Sequence, residues 1–462
     1  MDMTTRPDAS AFPTDIEVDE ALRHILTLCP RLPSERVMLS EAAERVLAAE
    51  VVAHGPLPPF AHAAMDGFAL RSEDGSSGAG AGTGEVPLRL VGEVAAGGGF
   101  GGEVERGTAV RIMTGAAVPT GADTVVPLEE TTPGPGGVVR VDPRTVRPGQ
   151  HIRRVGEDVA AGETVLRAGR VLAPQDVTLL AMLGVAEVAV VRRPRVALVA
   201  TGDELVPAGA PREPGQVYDA NTPMLAALVS RCGGISLPLG IARDTEASLL
   251  QRLREALDHA PDLVLTTAGV SVGDYDRVKG VLESMGTMVF WKVRMKPGKP
   301  LVAGVLDGRP RAGEGPGKGA GRGEWKPPVP LFGLPGNPFS AFVVSEVFVR
   351  AALRHMQGRE PHPPRIWARL DEAAPGTTRP SYLPVRVYAA ETGYRVARCG
   401  RGRGSHAVST LVEANGLLMV PEQGGYQAGE MVEVRPLAGW AGWGEERAGE
   451  AGEAADGGSA RI

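Results

Sequence analysis

Cysteine is scarce in this 462-residue chain: Cys29, Cys232 and Cys399 lie far apart, with no CxxC pair. That excludes a cysteine-built zinc site and a disulfide framework, and suits a reducing compartment. A dominant charge is also missing. The 49 Lys and Arg stand against 55 Asp and Glu, a net charge of −6, so nothing in the balance attracts nucleic acid globally. No run of about 18 apolar residues occurs, and the chain does not open on a basic segment followed by an apolar one. No membrane contact and a cytoplasmic location are therefore expected. No internal repeat is evident. A 43% hydrophobic share with 23% charged residues excludes wholesale disorder, and the length calls for several domains.

The chain is rich instead in glycine (62) and proline (39). Some of these fall in low-complexity stretches, at 75–84, in an insert at 307–328, and in the tail after 438, which read as mobile segments without a core. The rest punctuate short apolar runs. In EVDEALRHILTLC, Val18, Ala21, Leu22, Ile25, Leu26 and Cys29 share one helical face. Thr14 and Glu17 form a capping-box pattern before them, and Ser40 precedes a second helical stretch, EAAERVLAAE. From about 53 to 161 the texture turns to β-like runs (VPLRLVGEV, TAVRIM, TVVPLEE, GVVRVD), which predict a small inserted β domain. From 194 strands alternate with helices: RVALVA, a helix that Asn221 or Thr222 can cap, ISLPLGIA, a helix with Leu249, Leu250, Leu253, Ala256 and Leu257 on one side, LVLTTAGVSVG, and PLFGLPGNP before an apolar helix. This alternation predicts an α/β unit with a parallel sheet. Beyond Pro361 β-like runs return, predicting a C-terminal β domain.

Ligands of a parallel sheet bind outside the carboxyl ends of its strands. Three such ends carry unusual loops: Thr201-Gly202-Asp203-Glu204, the stretch from Ala268 through Gly269, Ser271, Gly273 and Asp276, and Pro335-Gly336-Asn337 through Ser340. Glycine lets backbone amides approach a ligand, and a following helix start favours an anion. In WKVRMKPGKP, Lys292, Arg294 and Lys296 alternate with apolar residues, so a strand would turn all three to one face. Such a row is either a solvated, lysine-protected edge or an oxyanion site. Asp244 is either an N-cap or, with Asp276, a ligand to Mg²⁺ beside phosphates. Gly269-Val270-Ser271-Val272-Gly273 also matches the GxSxG nucleophile elbow, so a serine hydrolase stands as an alternative. Only His355, His362 and His406 follow it as bases, and no HGGG-like segment precedes it.

Assembled in order, LPPFAHAAMDGFALR, RIMTGAAVP, GQHIRRVGEDV, TGDEL, GQVYDAN, GVSVGDYDRVK, WKVRMKPGKP, GLPGNPFSAF and GSHAVSTLVEANGL make the chain similar to the molybdopterin molybdenumtransferases, the MoeA family that includes the gephyrin E domain. The resemblance runs from about residue 14 to 434. It implies an N-terminal region (14–192) carrying the inserted β domain (53–161), a molybdopterin-binding-like α/β domain (193–358), a C-terminal β domain (361–437) and a tail (438–462). It implies a homodimer in which the inserted domain of one subunit faces the α/β domain of the other. The implied reaction takes adenylylated molybdopterin and molybdate, inserts molybdenum and releases AMP, with Mg²⁺. Transient contact with the adenylylating enzyme and with recipient molybdoenzymes follows. By motif position, Asp66, Thr114, Glu204, Asp276, Lys292 and Lys296 are the implied catalytic residues, and Asp244 and Asp276 the metal ligands. Gly202, Asp203, Gly269, Ser271, Gly273, Lys299, Pro335, Gly336, Asn337 and Ser340 are the implied substrate contacts. The sequence departs from the family where Ala61-His62-Ala63 replaces the usual Asp-Asn-Ser, Ala268 a usual Gly, and Ala220 a Ser or Thr. The first of these changes keeps a non-catalytic molybdopterin-binding or scaffolding paralogue as a further alternative.

Overall fold

The computed structural model describes residues 13–77, 84–268, 280–281, 284–307, 328–400 and 407–438. The chain divides into two compact units, residues 1–35 with 191–462, and residues 36–190.

The first unit is built on a sheet of seven strands: β1 (Thr14–Ile16), β2 (Arg195–Thr201), β3 (Ile235–Ala242), β4 (Leu263–Thr267), β5 (Gly286–Val293), β6 (Val302–Leu306) and β7 (Val329–Leu334). Their order is β1-β5-β6-β7-β4-β2-β3. The α/β sheet expected from the alternation is present; it is mixed, because β6 runs antiparallel to both β5 and β7 while the other ladders are parallel. Strands β4 and β7 are buried along their whole length, as continuous apolar runs covered on both faces must be. Successive side chains of β2 serve opposite layers. Val196 and Leu198 join Leu22 and Ile25 of helix α1 (Val18–Leu28) and Leu225 and Val229 of helix α2 (Asn221–Arg231). Ala197 and Val199 join Leu249, Leu253 and Ala256 of helix α3 (Glu246–Asp258). Each fully buried leucine contributes about 1.5–3 kcal/mol of transfer free energy.

Three local expectations are corrected. Thr14 belongs to β1, and α1 starts at Val18 with no side-chain cap from Glu17. No helix follows Ser40 beyond the single 3-10 turn Leu39–Glu41. Glu44 adopts φ 64°, and Val46 and Leu47 are drawn into β-bridges with Val171 and Val190, so burial by pairing overrides helix propensity. Neither Asn221 nor Thr222 caps α2 with its side chain; Asp219 Oδ1 accepts from both their amides at 3.1 Å.

A long helix follows β7, running Pro338–Val344, through a π turn at Ser345–Val349, to Arg350–Met356. A closed five-stranded barrel ends the unit, and Val385 and Val387, Leu418 and Val420, and Val432 and Val434 alternate into its core. The barrel is fastened to the helix by a buried ion pair. Arg350 Nη1 donates to Glu346 at 2.9 Å and to the Pro436 carbonyl at 2.6 Å, and the Ala438 amide donates to Glu346 at 3.0 Å.

The second unit holds a six-stranded sheet ordered Thr124–Pro127, Gly67–Leu70, Thr108–Ile112, Val86–Val94, Val138–Val141, Thr131–Gly134. Period-2 alternation buries both of its faces: Ala69, Val110 and Val125 on one side, Phe68, Leu70, Ala109 and Val126 on the other. The four β-like runs predicted for this region are all strands.

Candidate functional site

Strands β2, β3, β4 and β7 run the same way, so their carboxyl ends share one edge of the sheet. Strand β5 ends at that edge too, since register pairs Gly333 of β7 with Val302 of β6, and Val302 with Trp291 of β5. The predicted loops after β2 and β7 and the basic segment after β5 therefore converge. The insert at 307–328 lies almost wholly outside the described residues. Its flanks, Leu306 and Val329, are register partners at the amino end of β7, the opposite edge.

After β2, the Gly202 amide donates to the Ala242 carbonyl at 3.2 Å. Gly202 has φ +150°, a conformation that residues with side chains rarely adopt, and the Glu204 carboxylate folds back over it, with Oε2 2.4 Å from where a Cβ would stand. Asp203 and Asp244 hold each other: the Asp203 amide reaches Asp244 Oδ2 at 3.4 Å, and the Asp244 amide donates to Asp203 Oδ1 at 3.2 Å. Asp244 is not the cap of α3, for Thr245 Oγ1 accepts from the Ser248 amide. After β7, Asn337 Oδ1 accepts from the amides of Phe339 and Ser340, at 2.9 and 3.3 Å. Pro338 has no amide hydrogen, so the helix start has spent its first donors on its own cap. What this loop offers an anion is the backbone of Pro335-Gly336-Asn337 rather than the helix terminus. Ala268, the residue standing where the family has Gly, adopts φ 66°, and its Cβ lies 3.1 Å from where a Cβ on Gly336 would be.

The basic segment is not one strand face. β5 ends at Val293, Lys292 is left-handed at φ 67°, and its Nζ lies 3.4 Å from the Trp291 ring centroid. Arg294 leaves the row to pair with Glu17 at 3.2 Å and with Glu422. Lys296 anchors by its backbone, its amide donating to the Pro380 carbonyl at 2.9 Å and its carbonyl accepting from Tyr382 at 2.7 Å. Lys299 Nζ stands 3.4 Å from Asp15 Oδ1. Separate carboxylate and aromatic partners relieve the repulsion that a contiguous cationic row would carry. The sequence reading missed Glu17, Glu422 and Asp15, since nothing local marks them as partners of this loop.

In the second unit Asp66 and Thr114 meet as a pair. Asp66 Oδ1 accepts from the Thr114 amide and from Thr114 Oγ1, both at 2.7 Å. The amide bond first, then the hydroxyl bond, holds the exposed Asp66 carboxyl below its ordinary value of 3.8. Nearby, His62–Ala63 pairs with Ile152–Arg153, and Ala63 is wholly buried among Ala69, Val94 and Val110. Gly269, Ser271, Gly273 and Asp276 lie outside the described residues. Among the described residues no group of three or more His, Cys, Asp or Glu gathers for a metal, and no helix is long and apolar enough to cross a membrane.

A mixed α/β sheet with carboxylates, glycine turns and lysines along one edge, joined to a β barrel and a second β-rich unit, defines the class to which comparison gives a family. Residues 197–355 match the model of a probable molybdopterin binding domain, residues 16–184 that of the MoeA N-terminal region (domain I and II), and residues 368–437 that of the MoeA C-terminal region (domain IV). The molybdopterin molybdenumtransferase of Haemophilus influenzae is 34% identical over 429 residues, covering 91% of this chain and 98% of the relative. That of Nostoc sp. is 32% identical over 419 residues, covering 86% and 88%. The crystal structure of the molybdopterin biosynthesis moeA protein of Pyrococcus horikoshii is similar with a TM-score of 0.71 and 31% identity, over 91% of this chain and 99% of that one. The chain belongs to the molybdopterin molybdenumtransferase family, and this takes the place of the serine-hydrolase reading of Ser271.

Proposed function

We propose that the chain inserts molybdenum from molybdate into adenylylated molybdopterin and releases AMP, as a transferase of molybdenum cofactor biosynthesis. Membership of the family supports the transfer. The observation that carries the chemistry is the convergence of Gly202 to Glu204, Asp244, the Lys292–Lys299 segment and the Pro335–Asn337 turn on one sheet edge. Lys292, Lys296 and Lys299 supply positive charge for molybdate and phosphate, both of which concentrate negative charge on oxygen. Phosphoryl-type chemistry is accelerated mainly by positioning and charge neutralisation, which these backbone-anchored lysines provide. Gly202 and Gly336 let the main chain approach the pterin's phosphate.

The donor set at the edge fits a hard divalent cation. Asp244 and its neighbour Asp203 offer carboxylate oxygens, and Mg²⁺ commonly takes only one or two carboxylates together with phosphate and water. Asp244, with Asp276, would hold it, and when bound it would neutralise phosphate charge. Asp66, fixed by Thr114 and ionised, faces the site of the partner subunit in the homodimer this reading includes. The enzyme works in the cytoplasm, receiving its substrate from the adenylylating enzyme and passing product to molybdoenzymes.

Incubation with adenylylated molybdopterin, molybdate and Mg²⁺ tests the proposal. AMP and molybdenum-loaded molybdopterin should both appear, and Lys292→Ala or Lys296→Ala should slow turnover at limiting molybdate with thermal stability nearly unchanged. Binding of molybdopterin without any turnover would refute the transferase and establish a scaffold.

A further inference from the structure

Asn221, the first residue of α2, is 6% exposed. Its Nδ2 donates to the Gly336 carbonyl at 2.8 Å, across 115 residues of chain. Its Oδ1 is buried with no hydrogen-bond partner among the described residues. The amide orientation follows from the contact itself, since the flipped form would set Oδ1 against the Gly336 carbonyl. Capping does not explain the residue, because Asp219 already accepts from the amides of Asn221 and Thr222. Nor does stability. A buried acceptor without a partner among the described residues costs about as much as the single bond from Nδ2 returns, so the side chain contributes little net stability. What it holds is the Gly336 turn.

That turn needs an external hold. Asn337 turns its side chain back to the amides of Phe339 and Ser340, so it secures the helix and not the preceding Gly336. Gly336 itself has no side chain with which to pack, and its neighbour Ala268 offers only a methyl group. Among the described contacts of Gly336, the bond from Asn221 is the one polar tether from another element.

We infer that Asn221 is a positioning residue for molybdenum transfer: by holding the Gly336 carbonyl it sets the backbone of the Pro335–Asn337 turn to receive molybdopterin. The inference rests on the function proposed above. Asn221 does not touch substrate, because its free oxygen is sealed from solvent. It acts on binding, so its loss should raise the Kd for molybdopterin, and the KM of the adenylylated substrate, more than it lowers kcat.

The test is molybdopterin binding by titration calorimetry, with steady-state kinetics, on the full chain and three variants. Asn221→Ala should weaken binding about tenfold, the equivalent of one lost hydrogen bond at a site of this kind, with kcat at saturation within about twofold. Asn221→Asp keeps the shape but sets carboxylate oxygens against the Gly336 carbonyl, so it should bind at least as weakly as the alanine variant; it also serves if that variant does not fold. Asn415→Ala is the structural control. Asn415 Oδ1 accepts from the Val387 amide and its Nδ2 donates to the Val387 carbonyl within the barrel, and its loss should lower the melting temperature while leaving the Kd unchanged. Wild-type affinity in Asn221→Asp, or a fall in kcat with unchanged Kd, would overturn the inference. Failure of the unmodified chain to bind molybdopterin would overturn the proposed function instead.

Discussion

Ala268 should be a residue the fold tolerates at a cost. It follows β4 directly at the ligand edge with φ 66°, where a Cβ crowds the backbone by about 1–2 kcal/mol. Replacing it with glycine releases that strain but frees the unfolded chain, which costs about 0.4–1 kcal/mol. The net expectation for Ala268→Gly is a gain of roughly 0.5–1 kcal/mol, read as a higher urea midpoint with unchanged slope. The neighbouring turn sharpens the test. A Cβ on Gly336 would lie 3.1 Å from the Ala268 Cβ and 3.5 Å from its Cα, so in Gly336→Ala alone this crowding should offset the roughly 0.4–1 kcal/mol that a stiffer unfolded chain contributes. With Ala268→Gly in the same chain the nearer contact is gone, and the two changes should couple favourably by about 0.5–1 kcal/mol. Urea unfolding of the wild type, both singles and the double gives the coupling directly. A destabilised Ala268→Gly would refute the strain, and strictly additive effects would refute the contact.

The Asp66 carboxyl is held below 3.8 by Thr114, so its charged tether is intact above that pH and is released as pH falls through the lowered value. A carbon-13 titration should place its midpoint below 3.8, and Thr114→Val should move it only part of the way back, because the amide bond remains. If the proposed homodimer shares its sites between subunits, Asp66→Asn and Asp276→Asn, each inactive alone, should recover roughly a quarter of wild-type turnover when mixed and exchanged, since about half of such dimers then carry one intact site; no recovery after verified exchange would put the site within one chain. Deleting residues 313–323 should spare turnover and favour folding by about 0.6 kcal/mol, because it halves a connection whose ends are already paired across β6 and β7; loss of soluble protein would count against this.

Much of the fold is legible in the sequence because it is written in short periods. The helical face of α1, with Val18, Ala21, Leu22, Ile25 and Cys29 buried, and the strands of both β-rich regions follow from spacing alone. So do the loops that carry Gly202, Asp203, Glu204, Asn337 and the lysines, because glycine and charge are conspicuous between apolar runs. Ends of elements are less legible. The carboxylates that cap α2 and flank α3 each have a neighbour able to do the same work, and geometry selects Asp219 and Thr245. The stretch after Ser40 has helical composition, yet bridges to Val171 and Val190 bury its valine and leucine better.

By itself, then, the sequence determined the architecture, the family and the residue types at the ligand edge, since hydrophobic period, glycine and charge are local properties. Tertiary structure alone decided the partnerships: Arg294 with Glu17 and Glu422, Lys299 with Asp15, Asp66 with Thr114, and Asn221 with Gly336. It also decided that β6 and β7 pair antiparallel, with Leu306 and Val329 as register partners at the edge opposite the ligand loops. Coulombic and hydrogen-bond energies depend on distance in space, and residues as far apart in sequence as Asp15 and Lys299 reach bonding distance only once strand register has been set.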